Sequence, residues 1–145
     1  MAYKTRFIPQ NPSKYVGDST NIVCRSLWER SFAKYCDENS GVLKWGSEEV
    51  IVPYISPVDG RPHRYFTDFW IEVQSTGGLK RFLIEIKPAS QTMPPKQPKR
   101  QTKRFIKEAQ TYAVNKAKWT AADIYAKERG WTFLVLTERH LYGKK

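Results

Sequence analysis

The chain predicts one α/β domain, a mixed β-sheet flanked by helices in the order helix, three strands, helix, strand (αβββαβ). Three features lead there. Two β-rich runs, 63–73 and 80–88, flank Gly77-Gly78, residues that supply the positive backbone angles of a tight reversal. Apolar residues recur at three-to-four spacing on either side of that hairpin, over 20–38 and 101–118. After the second stretch, Trp131-Thr-Phe-Leu-Val-Leu136 is nearly continuously apolar, as expected for a buried central or parallel strand. At 145 residues the chain fits one domain with its own core.

Residues 1–19 read as a basic, irregular N-terminal arm broken by Pro9, Pro12 and Gly17. Its Lys4, Arg6 and Lys14 would either touch phosphates or be solvated. The first helix is expected over 20–38, capped by Ser19 or Thr20 and ended by Asn39-Ser40-Gly41, with Val23, Leu27, Trp28, Phe32 and Tyr35 supplying much of its apolar surface. Glu29 shares a face with Ile22, Phe32, Ala33 and Cys36. An acid on a buried face is costly unless paired or metal-bound, so Glu29 is either a site carboxylate or a partner of Arg25 or Arg30. Residues 41–45 read as a connector and 49–55 as a strand, edge-placed or bulged because of Pro53. A turn over 56–62 leads into the hairpin. Beyond it, Pro88, Pro94, Pro95 and Pro98 make 88–100 an extended segment that cannot pair centrally. A helix over 101–118 follows, with Phe105, Ile106, Ala109, Tyr112 and Ala113 on its inward stripe. A short second helix, capped by Thr120, reaches Arg129 before Gly130. The folded domain therefore spans 20–140, and 141–145 is a basic tail.

The hairpin concentrates the chemistry. With Gly77-Gly78 as a two-residue loop, Asp68 falls opposite Lys87, with Glu85 one diagonal place away; with a four-residue loop over 75–78, Asp68 falls opposite Glu85. Either register puts Asp68, Glu85 and Lys87 on one face within about 5 to 8 Å. Like charges paired across strands destabilise a sheet, and a divalent cation removes that repulsion. Hard cations such as Mg²⁺ take oxygens from one or two carboxylates and from a substrate phosphate, while a nearby lysine can hold or activate the attacking water. The alternative is a solvated charged sheet face.

Net charge is +11 and the pI about 9.7, which points to a polyanionic partner, nucleic acid before membrane. The charge is uneven: 94–145 holds thirteen Lys or Arg against four acids, the first 93 residues twelve against ten. A basic rim around an acidic centre suits an enzyme that holds a phosphodiester backbone. There is neither an apolar run long enough to span a bilayer nor the apolar core of a secretory signal, so an intracellular setting is expected. Two histidines and two cysteines do not make a Cys/His zinc pattern. Cys24 and Cys36, twelve apart on the expected helix, would lie about 18 Å apart, beyond disulfide reach.

Glu29 on the first helix, Asp68 on one strand and Glu85-Ile-Lys87 on the next resemble the PD-(D/E)xK nuclease superfamily, whose restriction-endonuclease-like core has this element order. Thr67 stands where that motif has proline. Thr67-Asp68-Phe69, Ile84-Glu85-Ile86-Lys87, Asn115-Lys-Ala-Lys-Trp119 and Phe133-Leu-Val-Leu-Thr-Glu138 look like its TnsA-type branch. Over its length the chain also resembles the head-completion nucleases of large contractile-tailed phages. The resemblance implies that Asp68, Glu85 and the carbonyl of Ile86 ligate Mg²⁺ or Mn²⁺, that Lys87 orients or deprotonates water, and that Glu29 holds a second metal or a metal-bound water. Gln110 and Asn115 would orient the lysine, contact phosphate or be plain surface amides. Arg64, Lys96, Lys99, Arg100, Lys103 and Arg104 fit phosphate contacts or solvated charges. The implied setting is DNA processing in virion assembly, in the virion or host cytoplasm, beside portal or other head-completion proteins. A non-catalytic protein that binds DNA ends and a transposition or repair endonuclease of the same fold are the alternatives.

Overall fold

A computed structural model describes residues 4–141; the expected tail beyond Leu141 lies outside the described residues, as do residues 1–3. The elements in order are β1 (Thr5–Phe7), a 3₁₀ turn at Pro12–Lys14, β2 (Ile22–Cys24), α1 (Leu27–Glu38), β3 (Val42–Ser47), β4 (Ile51–Ile55), β5 (Pro62–Phe66), β6 (Phe69–Ser75), β7 (Gly78–Ile86), a 3₁₀ turn at Ala89–Thr92, α2 (Lys103–Glu128), β8 (Thr132–Leu136) and α3 (Glu138–Leu141). The main sheet has the order β3-β6-β7-β8, antiparallel except for the parallel β7–β8 pair. A parallel pair needs a crossover, and α2 supplies it. The mixed α/β architecture is thus as expected.

Hydrophobic side chains divide the sheet's two faces. Alternate residues of β6 and β7, Phe69, Ile71, Ile84 and Ile86, join Phe32, Ala33 and Cys36 of α1 and the N-terminal Phe7 and Tyr15 in one core around Trp45, which is fully buried. Losing a buried indole of this kind costs about 3–5 kcal/mol. On the other face Leu83, Val52, Tyr65, Ala122 and Ala126 pack together, joining α2 to the β4–β5 hairpin. That hairpin is a separate two-stranded sheet. Chain order therefore inserts it between β3 and β6 as a side arm.

Several expected elements move. The helix begins at Leu27 because Ser26 caps it, its side chain accepting from the Glu29 amide at 3.1 Å. Cys24 consequently sits on β2, and the helix-based separation of the two cysteines does not apply; both are buried free thiols. Leu27 and Tyr35 are exposed, while the face shared by Phe32, Ala33 and Cys36 is the buried one. The expected connector over 41–45 falls in β3, a strand of the main sheet whose register shifts between Val42 and Lys44. Gly46 sits tightly there: a Cβ would stand 3.2 Å from the Val16 carbonyl oxygen and 3.1 Å from the Glu49 side chain, so those neighbours would have to give by a few tenths of an ångström. The run 63–73 is broken at Thr67-Asp68 into β5 and β6. The β6–β7 loop is Thr76-Gly77, with Ser75 paired to Gly78 and Phe69 to Ile84, the register of the four-residue alternative. The two helices expected over 101–129 are one 26-residue helix capped by Thr102, with Thr120 inside it. β8 is parallel to β7 as expected but forms the sheet's edge, and Leu134 is substantially exposed.

The N-terminal residues are also more ordered than an irregular arm. β1 pairs with β2. Lys14 Nζ donates to the carbonyls of Cys36, Asp37 and Asn39 at 2.8, 3.0 and 2.9 Å. Those are orphan acceptors at the end of α1, so Lys14 caps the helix and is neither a phosphate contact nor a solvated charge. The buried Asp37 carboxylate in turn accepts from the amides of Gln10 and Asn11 at 2.8 and 3.0 Å.

Candidate active site

The site forms where β6 begins and β7 ends. Extending the Phe69–Ile84 pairing by one residue sets Asp68 opposite Glu85 on the same face. Asp68 is fixed by the Ile86 amide, which donates to its Oδ2 at 2.8 Å. Glu85 is buried; its Oε1 accepts a hydrogen bond from the Tyr65 hydroxyl of β5, and its Oε2 lies 3.4 Å from Lys87 Nζ. Lys87 keeps a quarter of its side chain exposed. The acid-acid-lysine set therefore converges, with the lysine facing solvent.

Glu29 reaches the set from the first turn of α1. Its Oε1 accepts from the Arg25 amide at 3.0 Å, a close variant of a capping box. Burial, then the carboxylates of Glu48 and Glu85, raise its pKa above the usual glutamate value, while the Arg25 amide pulls it down. Asp68 is pushed well above the usual carboxylate range, first by burial and then by Glu85 and Glu29, against the opposing Ile86 amide and Lys87. Three acids, from α1, the β5–β6 junction and β7, thus feel one another's charge.

Sequence reasoning missed two contributors. Tyr65 orients Glu85, and its own hydroxyl is held far above the ordinary tyrosine pKa, chiefly by burial and then by Glu85. Glu48 sits between β3 and β4 in a left-handed conformation, φ +57°. Its amide donates to the Asp68 carbonyl at 3.1 Å, and its carboxylate takes both Nε and Nη2 of Arg25 at 2.7 and 3.2 Å. Arg25 therefore ties Glu48 to the Glu29 end of the cluster. Ser26-x-x-Glu29 was a readable signal for this helix start. Nothing local in the sequence marks Tyr65.

The donors suit a hard cation, being carboxylate oxygens with the Ile86 carbonyl nearby in sequence. Among the described residues, no three His, Cys, Asp or Glu side chains are arranged to hold a metal ion as they stand. Protein donors occupy one oxygen of Asp68, one of Glu29 and both of Glu85. Asp68 Oδ1 has no hydrogen-bond partner among the described residues. The chemistry of the donor set, hard carboxylate oxygens with one Asp68 oxygen unengaged, fits a divalent cation.

The structure brings three of the expected nucleic-acid contacts together. Lys96, Arg104 and Asn115 line a cavity of about 670 Å³ between the 90–96 segment and α2, together with Lys107, which no motif in the sequence singles out. Gln110 and Asn115 line an adjoining hollow of about 310 Å³ that leads to Lys118. Lys118 Nζ lies 5.5 Å from the centre of the Tyr65 ring. Lys99, Arg100 and Lys103 are exposed nearby in sequence, outside those linings. Arg64 is exposed on β5, over the Phe66 ring.

Residues 39–138 match the family described as TnsA-like endonuclease N terminal. The chain belongs to the TnsA-like endonucleases. This TnsA-like chain is also 43% identical over 142 residues to the head completion nuclease of Enterobacteria phage T4, a match that covers 95% of the chain and 93% of that protein. The expected PD-(D/E)xK resemblance of the TnsA type is borne out. The family match takes in Asp68, Glu85 and Lys87 and begins beyond Glu29. Among the described residues, no helix is long and apolar enough to cross a membrane.

Proposed function

We propose that this TnsA-like endonuclease is a metal-dependent deoxyribonuclease that processes packaged DNA during phage head completion and head–tail joining. The observation that carries the chemistry is the convergence of Asp68, Glu85 and Lys87 on one sheet face, with Glu29 brought across from α1. Whole-chain likeness to a head completion nuclease supports the setting, and favours it over transposition or repair.

Asp68, Glu85 and Glu29, with the Ile86 carbonyl, would hold Mg²⁺ or Mn²⁺. Bound there, the ion supplies Lewis acidity toward a phosphoryl oxygen and makes water a better nucleophile. Tyr65 and Lys87 hold Glu85 in one orientation, and the Ile86 amide does the same for Asp68. Lys87 Nζ, beside Glu85 and open to solvent, orients the attacking water and, when neutral, accepts its proton. The cations at 64, 96, 99, 100, 103 and 104 hold the DNA backbone, and the Asn115 amide also contacts the DNA. The working environment is the virion or the host cytoplasm, and portal or other head-completion proteins are the expected partners.

A second reading is a non-catalytic protein that binds DNA ends, because the basic cavity along α2 needs no metal ion to hold a DNA strand. One assay separates the two: purified protein incubated with linear and circular DNA in Mg²⁺, Mn²⁺ or EDTA. Cleavage with either metal and none in EDTA is the expected outcome; binding without cleavage in all three conditions rejects the enzyme reading.

A further inference from the structure

The first half of α2 does little for the core. Of its buried residues, Ala122 and Ala126 lie in the second half, and Asn115 marks the transition. Before that point the helix instead forms one wall of the 670 Å³ cavity, with Arg104, Lys107, Glu108, Thr111, Tyr112 and Asn115 facing Ser90, Gln91, Met93, Pro95 and Lys96. The positions 104, 108, 111 and 115 recur at helical spacing, so this is a single face turned toward a gap. A cavity of this size falls in the range of about 300–1,000 Å³ typical of small-ligand sites.

Its chemistry is specific. Glu108 is paired with Arg104, Oε2 to Nε at 3.1 Å, whereas Lys96 and Lys107 have no ion-pair partner among the described residues. The half-buried Tyr112 lines the cavity together with Met93 and Pro95, an aromatic ring among apolar neighbours. Asn115 is only 7% exposed, lines both this cavity and the adjoining hollow, and its side-chain amide makes no hydrogen bond to the described residues. Its two donors and one acceptor are therefore open to the cavity, where they are free to meet a ligand in place of water. Cations for phosphates, an aromatic face for stacking and an amide for a base edge are the parts of a single-strand binding groove. The adjoining hollow continues from Asn115 to Lys118, whose ammonium sits against the Tyr65 ring, and Tyr65 holds Glu85. The groove therefore leads to the candidate active site.

We infer that the groove between the 90–96 segment and the first half of α2 binds an unpaired DNA strand, with Tyr112 stacking on a base and Asn115 contacting its edge. The inference rests on the nuclease reading above for the nature of the ligand. It makes a duplex with a single-stranded end, rather than a blunt duplex, the preferred ligand.

The test is equilibrium binding of labelled oligonucleotides to the full chain in EDTA, so that no turnover intervenes. One probe is a blunt duplex and the other is the same duplex carrying an overhang of about ten nucleotides, enough for more than one groove-bound base. The wild-type protein should bind the overhang probe at least about tenfold more tightly, the scale of one base stack. Tyr112→Ala should abolish that preference and Tyr112→Phe should keep it. Asn115→Ala, which leaves the ring in place, should reduce the preference and serves if Tyr112→Ala fails to fold. Equal wild-type affinity for the two probes overturns the inference, as does a preference that survives both alanine variants. Metal-dependent cleavage is scored separately, so an inactive protein that still prefers the overhang would remove the nuclease reading and leave the groove.

Discussion

The Tyr65 hydroxyl donates a hydrogen bond to Glu85 Oε1, joining the inserted β4–β5 arm to the central strand that carries this proposed site acid. Tyr65 is buried, out of direct reach of a DNA backbone at the surface. Its effect on chemistry must run through the orientation of Glu85. Removing the hydroxyl leaves a buried carboxylate oxygen one donor short and free to rotate.

Tyr65→Phe should therefore lower the cleavage rate by about 10–100-fold, the usual effect of losing a group that orients a metal-holding carboxylate. Affinity for DNA in EDTA should be unchanged. The metal-activation curve should move to higher Mg²⁺ concentration, which a purely structural role for the hydroxyl would not cause. An unshifted activation curve counts against the positioning role.

Asp68→Asn separates activity from stability. Cleavage should fall by at least about a hundredfold, with DNA binding retained. The metal-free protein should nevertheless become more stable at neutral pH, because burial and the carboxylates of Glu85 and Glu29 disfavour the ionised acid. The sign follows from linkage. A carboxyl whose folded pKa is raised stabilises the fold below its unfolded pKa, and that contribution is lost as pH rises through the folded value. Each unit of the shift corresponds to about 1.4 kcal/mol. In EDTA, the stability advantage of the Asp68→Asn variant over the wild type should thus shrink as pH is lowered from neutral, as read by thermal melts. A constant difference across that range would show that charge at position 68 is not the cause.

Much of this was legible because strand periodicity leaves few choices. The Gly77 turn and the alternation of β6 and β7 were enough to bring Asp68, Glu85 and Lys87 together, since both plausible registers had the same parity. Glu29 was found by the helical face it shares with Phe32, Ala33 and Cys36, although the helix starts later than its apolar pattern suggests. β3 was not legible because its bulge between Val42 and Lys44 breaks the period of two on which strand recognition relies. α2 was split because Thr120 reads as the N-cap of a second helix, and packing of Trp119 against the second core carries the helix through that point. Tyr65 and Glu48 were invisible for a different reason: they reach the site through the insertion of one hairpin and through one left-handed residue, neither of which has a local signature.

Lys14→Met isolates the N-terminal latch from the site. The variant removes a charged donor from three carbonyls at the end of α1. Hydrogen bonds to a charged group are worth about 1.5–3 kcal/mol, so a loss of about 2 kcal/mol is expected. For a domain of this size that corresponds to a fall of about 4–8 °C in Tm. The salt dependence of DNA binding should not change. A flatter salt dependence with an unaltered Tm would instead return Lys14 to the DNA surface.

The exposed cations preceding and opening α2 make the opposite prediction. Lys99, Arg100 and Lys103 are solvent-exposed and have no ion-pair partner among the described residues, while Arg104 shares Glu108. Neutralising all four leaves both cores untouched, because none of these side chains is buried. Tm should stay within about 2 °C, as for surface changes worth under about 0.5 kcal/mol. Binding should weaken on every sequence alike. A plot of log K against log salt should flatten by about 0.9 for each duplex phosphate no longer neutralised. Because Asp68 and Glu85 remain in place, cleavage at saturating DNA should approach the wild-type rate, so the defect should lie in KM and not in kcat. An unchanged salt slope would remove this segment from the DNA surface. A fall in kcat at unchanged KM would place these cations at the reacting phosphate.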